Sequence, residues 1–261
     1  MNKDINCQSC SKESYNSIPL TRIFDKLDEL FAKNDLCAVG TFLDYWQNEA
    51  TAIGDTRGLL EILNEKIGYY RRTADKEKAL SAVQAAFELI EEEGVGDPIS
   101  VGTIYLNGAT TMKAFGLAER AMPYYEKAKK IYENSLDPTD YKMAALYNNV
   151  SSAYKDIGDY IQAEMACYKA IEILKQIKDC RGEIAVTLIN IAHLYYDQDP
   201  FDERIYELMD KAWELLTSDK NTLDGGFAFV CSKCYPSFDF FGYFERGAEL
   251  KALAERIYEG N

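Results

Sequence analysis

Tyr147-Asn148-Asn149-Val150-Ser151-Ser152-Ala153-Tyr154-Lys155-Asp156-Ile157-Gly158-Asp159-Tyr160 is the stretch on which the reading of the fold turns. With Ala163 and Ala170 further on, it reads as two amphipathic helices, Ala145 to Asp156 and Tyr160 to Ile177. Gly158 supplies the break between them, as glycine does just past a helix end. Small side chains at Ser151, Ala163 and Ala170 let two helix backbones approach to roughly 8–10 Å and pack ridges into grooves. Tyr147, Val150, Tyr154, Ile171 and Leu174 then fill the space around the crossing.

Outward from this stretch the pattern repeats. Ala86, Ala128, Ala170 and Ala212 are each 42 residues apart, with Leu89, Ile131, Ile173 and Leu215 three positions later. Lys127, Lys169 and Lys211 keep the step, as do Ala79, Ala121 and Ala163, with Ile205 in the fourth copy. The other half of each unit carries Asn107, Asn149 and Asn190, spaced 42 and 41 apart. Each is followed two residues on by Ala109, Ser151 or Ala192, and Gly116 matches Gly158. A hairpin of this kind cannot bury its apolar stripe alone, whereas stacked copies bury it for one another.

Loop chemistry falls between the units, at 94–98, 137–140, 179–182 and 218–226. The Asp97-Pro98 and Asp137-Pro138 pairs mark helix boundaries, because proline drives its predecessor out of the α region. The six prolines are expected at inter-helix turns. The expected pairs run over about 21–50, 57–92, 99–134, 141–177, 183–217 and 226–259. They form a single domain over 17–261, preceded by a disordered tail over 1–16.

Residues 143–177 resemble the tetratricopeptide repeat, and the 102–132 and 185–216 copies resemble it less closely. The 59–90 copy is worn, with Arg71-Arg72-Thr73-Ala74-Asp75 where the glycine belongs. The long period is similar to the extended repeats of kinesin light chains. The resemblance implies an all-α fold: a right-handed superhelical solenoid of antiparallel helix pairs, about five to six of them. It also implies a peptide-binding groove lined by the first helix of each pair.

On that resemblance Asn107, Asn149 and Asn190 form an asparagine ladder, since a carboxamide offers a donor and an acceptor to a peptide backbone. The alternative is that each Asn ties neighbouring repeats together. Thr110 and Lys113, Ser152 and Lys155, and His193 and Tyr196 occupy the next groove positions, and Arg71 extends them. The cations among them form either a basic track for an acidic side chain or C-terminal carboxylate, or ordinary solvated helix ends. His193 is the only histidine. No nucleophile or carboxylate is spaced to orient it, so it reads as a groove hydrogen bonder.

Cys7/Cys10 and Cys231/Cys234 could together offer four thiolates to zinc. They stand at opposite ends of the chain without a ribbon spacing, so no metal site and no cofactor is expected. Eight aromatics crowd 227–244. They either cap the last helix pair or, through Phe238, Phe240, Phe241 and Phe244, make a self-association surface and a homodimer.

The chain carries 29 Lys and Arg against 43 Asp and Glu, a net charge of -14. That balance argues against nucleic acid and anionic membrane as partners. The opening residues lack a signal-peptide core and no apolar run approaches the roughly 20 residues of a membrane span, so a cytoplasmic location is expected. No Gly-rich phosphate loop or nucleophile motif supports an enzyme. The expected function is a non-enzymatic adaptor or scaffold for a protein or peptide. The alternatives are a sensor of a small signalling peptide and a self-associating module.

Overall fold

The computed structural model describes residues 17–218 and 221–260. The tail over 1–16, with Cys7 and Cys10, lies outside them. The described residues form twelve α-helices and no strand. Successive helices pack as six antiparallel pairs, and the chain divides into two compact units at Gly96/Asp97.

The first unit holds α1 (Leu20–Ala32), α2 (Leu36–Ile53), α3 (Thr56–Arg72) and α4 (Lys76–Glu93). Ile23, Leu27, Val39, Leu43 and Ile62 form its α1–α3 core, with Trp46 and Tyr69 packed alongside. The second unit holds α5 (Pro98–Ala114), α6 (Ala118–Ser135), α7 (Tyr141–Asp156) and α8 (Tyr160–Leu174). It continues with α9 (Arg181–Gln198), α10 (Arg204–Leu216), α11 (Gly225–Phe240) and α12 (Phe244–Glu259).

Aspartate starts most of these helices. Asp35, Asp55, Asp75, Asp97, Asp140, Asp159 and Asp224 each accept a backbone N–H of the following turn. Such a cap contributes about 1 kcal/mol, so part of the acidic excess serves the fold. Inside five of the six pairs the turn is the same. Asn34, Ala74, Gly116, Gly158 and Gly242 take positive φ. The residue after each donates its N–H to a carbonyl five residues back, as in Asp159 N–H to Tyr154 O at 2.9 Å. That bond satisfies carbonyls left over at the end of the preceding helix.

The alanines of the 42-residue step (Ala86, Ala128, Ala170 and Ala212) are all fully buried at helix crossings. The step runs one copy further than the sequence reading took it, to Gly247, Ala254 and Ile257 of α12. Gly182, expected in a loop, lies in the first turn of α9. A Cβ there would come within 3.1 Å of Val230, so its lack of a side chain lets α9 and α11 meet. The prolines depart from expectation at two places. Pro123 and Pro236 stand inside α6 and α11, where proline removes a helix hydrogen bond at a cost of about 3 kcal/mol. Packing against their partner helices holds both helices in spite of it.

Candidate functional site

In the second unit the first helices of successive pairs, α5, α7, α9 and α11, are neighbours. Together they line a cavity of about 820 Å³. Lys113, Asn149, Ser152, Lys155, Asn190 and His193, all expected in a groove, line it. Asn107, Thr110 and Tyr196 do not, and Arg71 belongs to the first unit. One end carries Tyr141, Glu183 and Phe229, from near the starts of α7, α9 and α11. The other carries Lys113, Lys155, His193 and Ser237. Burial, and then the Glu183 carboxylate, push the Tyr141 phenol above its ordinary range.

Residues 143–177 match the tetratricopeptide repeat family. The fold resembles BtubC (BKLC) from P. vanneervenii, with TM-score 0.57 at 19% identity over 88% of this chain and 91% of that one. It also resembles the apo form of RapI, with TM-score 0.59 at 17% identity over 91% of this chain and 66% of that one. A putative kinesin light chain with nearly identical TPR-like repeats from Podosopora anserina is similar too. Its TM-score is 0.54 at 14% identity, over 77% of this chain and 95% of that one. No curated protein matches the sequence. This is a tetratricopeptide-repeat fold.

Within the tetratricopeptide pairs the three ladder asparagines differ. Asn149 is occupied internally: its Nδ2 donates to Ala145 O at 2.8 Å and its Oδ1 accepts from Thr110 Oγ1 at 3.4 Å. Thr110 in turn accepts from the Tyr125 hydroxyl at 3.2 Å. Asn107 lies outside the cavity. Asn190 lines the cavity and its carboxamide has no hydrogen-bond partner among the described residues. Its companion is Asn148, which the sequence reading passed over. The Asn148 Nδ2 donates to Thr187 Oγ1 at 3.0 Å, while its buried Oδ1 has no partner.

The basic track is neutralised. Lys113 donates to Ser152 Oγ at 2.6 Å and lies 3.8 Å from Asp156, and Lys155 pairs with Asp197 at 2.8 Å. Each pair ties one first helix to the next. Pairs this exposed contribute up to about 1 kcal/mol.

His193 Nε2 lies 3.0 Å from Ser237 Oγ, and its ring is 4.8 Å from that of Phe241. Burial, and then the Lys155 charge, hold its pKa below the usual value. The imidazole is therefore neutral near pH 7 and serves as a hydrogen bonder between α9 and α11. Tyr196 packs edge-on against Phe240 and Phe241 beside it.

Cys231 and Cys234 are buried in α11, their thiols pushed up to about 11 and about 12 chiefly by burial. No cluster of metal-ligating side chains occurs among the described residues, nor is any helix there long and apolar enough to cross a membrane. Of the aromatics assigned to self-association, Phe238 is fully buried against Trp213 and Tyr243. It belongs to the core and presents no surface, because its ring packs on Trp213 of α10 and on Tyr243 just before α12. Phe241 is half-buried against His193. Phe240 and Phe244 are exposed, at 54% and 68%.

Proposed function

We propose that the second unit binds an extended polypeptide segment in the α5–α7–α9–α11 cavity, as a non-catalytic adaptor. The carrying observation is a pair of carboxamides with unmet hydrogen-bonding groups. Asn190 offers donor and acceptor, and Asn148 Oδ1 is an orphaned acceptor in the same wall. A buried acceptor without a partner costs about 1–3 kcal/mol, while the half-buried Asn190 carboxamide is the one a peptide backbone can reach directly. The volume suits a short stretch of chain, within the range of roughly 300–1,000 Å³ typical of ligand sites. Val186, Ile189 and Val230 supply apolar wall between the polar groups.

The test is selection of a displayed hexapeptide library on the whole protein and on Val186→Trp, which puts a bulky ring into the apolar wall of the cavity. Peptides held by the wild type and lost by the folded variant support the reading. Equal binding to both overturns it and moves attention to Phe240 and Phe244, whose exposure favours self-association as the second reading.

A further inference from the structure

Four charged side chains line the cavity: Lys113, Lys155, Glu183 and Lys233. The first two have carboxylates beside them, Asp156 and Asp197. The other two have no ion partner among the described residues. They carry opposite signs and stand on neighbouring helices, flanking one close contact. Glu183 follows Gly182, which packs against Val230, and Lys233 is one turn beyond Val230 on α11. Yet they do not pair with each other. The Lys233 ammonium instead lies 4.7 Å from the centre of the Phe229 ring, an arrangement that restrains it near the cavity wall. Glu183 sits in the first turn of α9, at the same end of the cavity as Tyr141, whose phenol is pushed up first by burial and then by this carboxylate.

A ligand of one sign would gain from one of these groups and be repelled by the other. A ligand carrying both signs satisfies both, and like-charge contacts exclude competitors. We infer that the cavity selects a mixed-charge peptide, with a carboxylate recognised at Lys233 and a cationic group at Glu183. This rests on the peptide-binding reading above. It moves charge recognition from the neutralised Lys113–Lys155 track to α9 and α11. The carboxylate comes from an acidic side chain or a C-terminus, and the cation from Lys, Arg or an N-terminal amine.

The same hexapeptide library tests it, screened on wild type, Lys233→Glu, Glu183→Lys and the double exchange. Wild-type binders should contain both signs. Lys233→Glu should weaken them by about tenfold or more and favour binders without the carboxylate. Glu183→Lys should do the same for the cation, and the double exchange should again favour both signs, in reversed order along the peptide. Binders resynthesised with acetylated or amidated ends distinguish terminal from side-chain charges. Binders of a single sign, or unchanged preferences in both single variants, overturn the inference. If those binders are still lost on Val186→Trp, the cavity remains a peptide site without charge selection. If they are not, the cavity reading fails as well.

Discussion

At the turn between α7 and α8, Gly158 takes φ 81°, Asp159 N–H reaches Tyr154 O at 2.9 Å, and the Asp159 carboxylate accepts from Gln162 N at 3.1 Å. At the turn between α3 and α4, Ala74 takes φ 57°, Asp75 N–H reaches Tyr70 O at 3.0 Å, and Asp75 accepts from Lys78 N at 3.1 Å. The backbone is the same although one turn carries the family's glycine and the other does not. The left-handed conformation costs a non-glycine residue roughly 1–2 kcal/mol. In the first unit that cost is met by the crossing of α3 and α4 and by the aspartate cap. Pair packing dictates the turn, and glycine only makes it cheaper.

The largest test of this equivalence is overpacking of the crossings. Ala79 and Ala163 are both fully buried, so Ala79→Leu and Ala163→Leu should each destabilise by about 1–3 kcal/mol in urea unfolding. A large effect at one and none at the other would break the comparison. Next come the turns themselves. Gly158→Ala should cost roughly 1–2 kcal/mol, while Ala74→Gly should gain about 0.5–1 kcal/mol. Loss of stability in both would show that Ala74 is unstrained.

The smallest expected effect separates the units by pH. His193, in the second unit, has a pKa held below 6.5 chiefly by burial. The unfolded chain then takes up more protons than the folded one as pH falls from about 6.5, so acid destabilises. Glu65, in the first unit, has its pKa raised above 4.5 by burial and then by Glu61 and Asp28. Here the folded state binds the extra proton, so acid stabilises as pH falls through that raised value. Trp46 and Trp213 are the only tryptophans, one in each unit. Single-tryptophan variants unfolded in urea at pH 7 and pH 5 should therefore show slopes of opposite sign. His193→Gln should remove the slope at Trp213.

Much of the helical architecture could be read from one step of 42 residues, because small side chains at a crossing leave a periodic trace in the sequence. The groove was harder to read. Period alone chose Asn149, but a shift of one residue turns a helix by 100°, and Asn148 carries the orphaned acceptor. The neutralising aspartates were visible in principle, since Asp156 and Asp197 recur at nearly the same step as Lys113 and Lys155. Lys233 and Glu183 left no such trace. Their meaning depends on which charges lack a partner, and only the packed helices decide that.

Within each unit, contacts join mainly helices adjacent in sequence, and the remainder join next-but-one helices. Little chain entropy is therefore spent closing long loops before contacts form. Small helical domains with so local a contact pattern fold in microseconds to milliseconds. A pair emerging during synthesis can find its own crossing at once, leaving its apolar stripe exposed only until the next pair arrives.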